Sequence, residues 1–244
     1  MIRALGLALL CGIASVASAQ AETVNVAVAA NFTAVAEELA ALFKAETGHD
    51  AVLSFGATGQ LYTQITQGAP FGVFLSADDV RPTQAVTEGH GVDGSVFTYA
   101  IGQLALFSTS LDLADGEAVL RAGAYEKIAI ADPAAAPYGA AAIEALTALD
   151  LRAAIEPKFV TGANITQTLQ FVDTGNAELG FVAASQVAGR DSVWIVPADL
   201  HAPIRQDAVL LRSAANNPAA AAFIDFLKSD AARERIAAAG YSVE

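Results

Sequence analysis

Residues 24–48, VNVAVAANFTAVAEELAALFKAETG, limit the possible folds more than any other stretch of the chain. Residues 24–29 are a short apolar run that suits a strand covered on both faces. Phe32, Val35, Ala36, Leu39, Leu42 and Phe43 then recur at helical spacing, with Glu37, Glu38 and Lys44 on the other side. Gly48 stands where a C-cap glycine belongs, and Asn31 at the joint predicts an N-cap. The first N–H groups of a helix have no partner within it, so such an end is a ready site for an anion. Taken alone, the joint is better read as an ordinary cap than as an anion site.

The pattern repeats. Strands are expected at residues 51–55, 72–76, 128–131, 159–160, 179–183, 193–196 and 207–211, with a longer β run at 97–107. Helical stretches follow most of them, the last opening at Asn217-Pro218 and running through Phe223, Phe226, Leu227 and Ile236 to Gly240. Strands alternating with helices argue for an α/β protein with largely parallel sheets. One compact sheet does not need so many strands. The run at 97–107 and the Pro197/Pro203 stretch read as two crossings between lobes. One lobe is then residues 22–99 plus 204–244, and the other is residues 100–203.

The first residues are a separate object. Arg3, an apolar middle and Ala17-Ser18-Ala19 predict a secretory signal peptide over residues 1–21, cleaved after Ala19 or Ala21. Cys11, the chain's single cysteine, leaves with it, so neither disulfide nor thiol chemistry is expected afterwards. Leu10 precedes that cysteine where a lipid-anchored one has a small residue, which argues against an anchor. The chain carries a formal charge of −13, and loss of Arg3 makes it more acidic still. An acidic exported protein is a poor match for nucleic acid or an anionic membrane surface.

Four strand–helix joints stand out: Ala30-Asn31, Ala57-Thr58-Gly59, Pro137-Tyr138-Gly139 and Asn164-Ile165-Thr166. Two fall in each expected lobe, and ligands of open α/β sheets bind at the carboxyl ends of strands. Facing one cleft, they would offer backbone N–H groups, the Asn31 side chain and the Thr58 hydroxyl. None of the four contains Lys, Arg, Asp or Glu. Oriented dipoles in a dry site hold a small anion without a cation. The lack of a carboxylate leans against hydrogen phosphate, whose proton needs an acceptor. From spacing alone, four well-made turns with no common purpose explain the pattern as well.

The stretches VAVAANFTAVAEELAALFKAETGH, VLSFGATGQLYTQITQGAPFGVFLSADD, IAIADPAAAPYGAAAIEAL and TGANITQTLQFVDTGNAELGFVA, with FTYAIGQLALFS and AAFIDFLKS, resemble the molybdate-binding periplasmic proteins of ABC importers. The resemblance runs over the whole chain beyond the signal peptide. It implies a type II periplasmic binding protein, two-lobed, each lobe a mainly parallel sheet flanked by helices. It implies capture of molybdate, and of tungstate with it, in the periplasm, with no cofactor and molybdenum present only as the oxyanion. Ala30 and Asn31 match the family's first-joint donor, Thr58 its second-joint hydroxyl, and Tyr138 and Ile165 its backbone donors. Some members add a tyrosine directly after the stretch matching Gly180-Phe181-Val182, where this chain has Ala183. The implied partners are the oxyanion and a membrane permease, and the implied state is a monomer.

Other readings are weaker. Asp78-Asp79 suggest a helix cap more than paired catalytic carboxylates or a metal site. His49, His90 and His201 lie in expected loops without ligand spacing. SFGATGQ lacks the Gly-Lys-Ser/Thr ending of a phosphate loop. No nucleophile–base–acid set can be assembled, so no enzyme is expected. A receptor for sulfate or an organic carboxylate would share the fold. A secreted hydrolase is the alternative from another class, and it would need an activated nucleophile.

Overall fold

The computed structural model describes residues 21–244; the signal peptide expected at residues 1–21 lies outside them apart from Ala21. The chain runs β1 (Thr23–Ala29), α1 (Thr33–Thr47), β2 (Asp50–Gly56), α2 (Thr58–Thr66), β3 (Val73–Leu75), α3 (Val80–Thr87) and β4 (Phe97–Gly102). It continues with β5 (Leu104–Ser108), α4 (Gly116–Ala122), β6 (Ile128–Ala131), α5 (Pro137–Ala148), α6 (Arg152–Ile155), β7 (Phe159–Gly162), α7 (Ile165–Asp173), β8 (Leu179–Ala183) and β9 (Val193–Ile195). It ends with β10 (Ile204–Leu210), α8 (Pro218–Leu227) and α9 (Asp230–Ala238).

Two five-stranded sheets result, ordered β2-β1-β3-β10-β4 and β7-β6-β8-β5-β9. In each, three strands are parallel and the next two pair antiparallel. β1 and β6 hold equivalent central places, flanked on both edges, which is why their sequences are nearly unbroken apolar runs. Helices cover the sheets. Val35, Ala36, Leu39 and Phe43 of α1 are buried, and Phe43 meets Phe223 of α8 edge-on with ring centroids 5.1 Å apart. Gly48 closes α1 at φ 77°, and its N–H bonds the Lys44 carbonyl.

Three expectations change. The β run at 97–107 is two strands in different sheets: β4 keeps its pairing to Gly102 and the chain passes over at Gln103. The last helix is also two. Ser229 interrupts it and caps α9 by accepting from Ala232 N–H at 3.3 Å. Asn31, expected as the cap of α1, sits inside a 3-10 turn spanning Ala30–Phe32 and makes no capping bond.

Candidate functional site

The first joint is held by Phe32, which is fully buried and meets Tyr99 and Tyr241 edge-on, with centroids 4.9 and 5.3 Å away. Asn31 is buried beside it. Its Nδ2 donates to Gln206 Oε1 at 2.9 Å and to the Tyr241 hydroxyl at 3.1 Å. The Tyr241 hydroxyl donates back to the Asn31 carbonyl at 2.9 Å. The amide hydrogens are therefore used within the protein, and Asn31 has its backbone N–H left to offer. That differs from the side-chain donor expected from the sequence.

The second joint keeps Ala57 extended before α2 begins at Thr58. Thr58 Oγ1 accepts from Ala77 N–H at 3.0 Å, which fixes the oxygen and leaves the hydroxyl proton free to donate. At the third joint, the Asp132 carbonyl gathers the N–H groups of Ala135 and Ala136 at 3.1 and 2.8 Å, turning the chain into α5. Pro137 has no N–H, so Tyr138 presents the first one. At the fourth, Asn164 is a true cap, its Oδ1 accepting from Gln167 N–H at 2.9 Å, and Ile165 follows.

These four joints meet. Ala30, Asn31, Thr58, Tyr138 and Ile165 line one small cavity together with Ala29, Gly56, Ala57, Ala77, Ala136 and Pro137. None of these residues carries a charge. The backbone N–H groups of Asn31, Thr58, Tyr138 and Ile165 find no protein acceptor among the described residues. Buried N–H groups are almost always paired, so four orphans around one cavity call for an acceptor from outside the chain. The halves close over it. Gly59 N–H donates to the Ala135 carbonyl at 2.8 Å, and Thr166 Oγ1 donates to the Ala30 carbonyl at 3.1 Å. Burial pushes the Tyr138 phenol well above its usual range, so it stays neutral.

The other candidates fall elsewhere. Asp78 caps α3 alone, accepting from Arg81 N–H at 2.9 Å and pairing with the Arg81 guanidinium, while Asp79 makes no capping bond. They line an adjacent groove with Arg81, Glu144 and Arg205, distinct from the uncharged cavity. His49 accepts from Glu22 N–H at 3.0 Å, and no cluster of metal-ligating side chains occurs among the described residues. Ala183 is fully buried and does not line the cavity. Sequence reasoning missed Gln206, Tyr241 and Tyr99, which stand behind Asn31. The one available signal was the polar run Arg205-Gln206-Asp207 inside a strand that is apolar on either side.

Residues 24–242 match the model of the bacterial extracellular solute-binding proteins. The chain belongs to that family. Among relatives, the molybdate-binding protein ModA of Rhodobacter capsulatus is 52% identical over 243 residues, covering 99% of this chain and 96% of its own. The solved structure of the Azotobacter vinelandii periplasmic molybdate-binding protein superposes with a TM-score of 0.86 at 38% identity, covering 91% of this chain and 99% of that one. This solute-binding protein therefore has the two-lobed periplasmic binding-protein fold, in which each sheet joins a parallel core to antiparallel strands. As a member of an extracellular family it works outside the cytoplasm.

Proposed function

We propose that this solute-binding protein captures molybdate, and tungstate with it, in the periplasm and delivers it to the permease of an ABC importer. The observation that carries the reading is the set of four unpartnered helix-start N–H groups around one uncharged cavity. Molybdate carries no proton at neutral pH, so a site made only of donors suits it. Hydrogen bonds to a charged acceptor are about twice as strong as neutral ones. A dry, uncharged wall keeps them so. The relatives named for molybdate, at 52% and 38% identity, support that anion over sulfate.

Asn31 and Thr58 hold the anion from the lobe built on the first sheet, and Tyr138 and Ile165 from the lobe built on the second. The anion bridges them and favours the closed form through its greater affinity for it. The closed monomer is what the permease receives. Binding involves no covalent chemistry and no cofactor, and the signal peptide is removed on export by cleavage after Ala19 or Ala21.

Thermal unfolding of the exported form with molybdate, tungstate, sulfate and phosphate in turn tests this. A ligand at about a thousand times its Kd adds about 4 kcal/mol, which raises Tm by on the order of 10 °C. Molybdate and tungstate should each produce such a rise and phosphate none. A rise with sulfate alone would keep the fold and change the ligand. No rise with any of the four would remove the oxyanion reading.

A further inference from the structure

Gln206 is a fully buried polar side chain that does not reach the cavity wall. It stands on β10, where the pairing with β4 slips between Gln206 and Asp207. Such a bulge breaks the strand's alternation and re-aims its side chains. Both polar residues are turned inward as a result. Asp207 Oδ1 accepts from Thr98 Oγ1 at 2.7 Å, while the Gln206 amide reaches toward the cavity from behind.

That amide joins two walls of the site. Its Oε1 accepts from Asn31 Nδ2 at 2.9 Å, with the Tyr99 hydroxyl also 3.3 Å away. Its Nε2 donates to the Tyr138 hydroxyl at 3.2 Å. Asn31 follows β1 of the first sheet, whereas Tyr138 opens α5 of the second half. The approach is cleared by Gly102. A Cβ there would stand 1.9 Å from the Tyr138 hydroxyl and 2.8 Å from Gln206 Nε2.

We infer that Gln206 is a positioning residue that fixes the Asn31 turn and clasps Tyr138 only when the lobes meet, thereby setting how long the anion is held. The inference rests on the oxyanion reading above. Asn31 and Gln206 ride on the same sheet and stay together in any lobe arrangement. Tyr138 moves with the other half, so its bond to Gln206 exists in the closed form alone. An interaction confined to the closed form slows release and leaves capture by the open form unchanged.

Stopped-flow binding of molybdate to the wild-type protein, Gln206→Met, Tyr138→Phe and the double variant tests this. Tyr138→Phe keeps the backbone N–H of the site and removes only the phenol. Each single variant should release molybdate about tenfold faster, the effect of losing the one hydrogen bond confined to the closed form, about 1.4 kcal/mol. The association rate should be unchanged, and so should the ligand-free Tm of Tyr138→Phe, because the open form lacks the bond. The double variant should release no faster than the faster single one. A residue that only supported the fold would alter the ligand-free Tm instead. Should Gln206→Met not fold, Gln206→Asn, too short to span Asn31 and Tyr138, takes its place beside Tyr138→Phe. Unchanged release, or effects that multiply in the double variant, would overturn the role of Gln206 and leave the oxyanion site standing. No molybdate binding by the wild-type protein would overturn both.

Discussion

The backbone N–H of Gly59 donates to the carbonyl of Ala135 at 2.8 Å, tying the start of α2 in one half to the loop before α5 in the other. A Cβ at Gly59 would stand 3.1 Å from both Ala135 Cα and Arg81 Nη2, and 3.3 Å from the Ala135 carbonyl oxygen. Gly59→Ala should therefore wedge the closed form, while in the open form only the flexible end of the Arg81 side chain has to give way. Within α2, alanine is favoured over glycine by up to about 1 kcal/mol. The two effects have opposite signs. The ligand-free urea midpoint should hold or rise, and molybdate affinity should fall. Unchanged affinity would mean that full closure is not needed to hold the anion.

Thr58→Ala removes the one side-chain hydroxyl free to donate into the cavity, and should cost about 1.5–3 kcal/mol of molybdate affinity. It also strands the Ala77 N–H, so a smaller loss of ligand-free stability should accompany it. Thr58→Ser keeps both bonds and should bind nearly as wild type. Calorimetric titration of the pair separates a donor from a turn residue: equal affinities for alanine and serine would show that the hydroxyl does not touch the anion.

Alkaline stability follows from the tyrosines behind the site. Burial raises the phenols of Tyr99 and Tyr138 well above 10.0, and that of Tyr241 to about 12. Below pH 10 both folded and unfolded chains hold these protons, and the contribution to stability is complete. Above pH 10 the unfolded chain releases them while the folded one retains them. Stability then falls by about 1.4 kcal/mol per pH unit for each such tyrosine until the folded phenol ionises too. Urea midpoints should thus be level from pH 7 to 9 and drop steeply between pH 10 and 12. A level profile through pH 11 would mean that these phenols ionise in the folded protein.

Much of this was legible in the sequence, and the reason is local. Helix starts are written in short patterns: Asn164 three residues before Gln167, Pro137 before Tyr138, and an apolar run ahead of each. Residues with such signals line the cavity together. Less legible was anything that depends on distant partners. The sequence makes Asn31 a cap, but Gln206 and Tyr241, far along the chain, take its amide for other work. The run at 97–107 reads as one continuous β run where the chain crosses between lobes, but both of its parts are apolar, so nothing local marks Gln103 as the break between two strands. Asp78 and Asp79 are chemically alike, and only the approach of Arg81 N–H singles out the first as the cap.

A titration of 15N-labelled protein with molybdate, followed through its backbone amides, tests the central claim most directly. The N–H groups of Asn31, Thr58, Tyr138 and Ile165 have no acceptor of their own and should move downfield together as the anion binds. Shifts gathered instead around Arg81 and Arg205, with those four amides unmoved, would contradict a site built from uncharged helix starts and place the anion in the neighbouring charged groove.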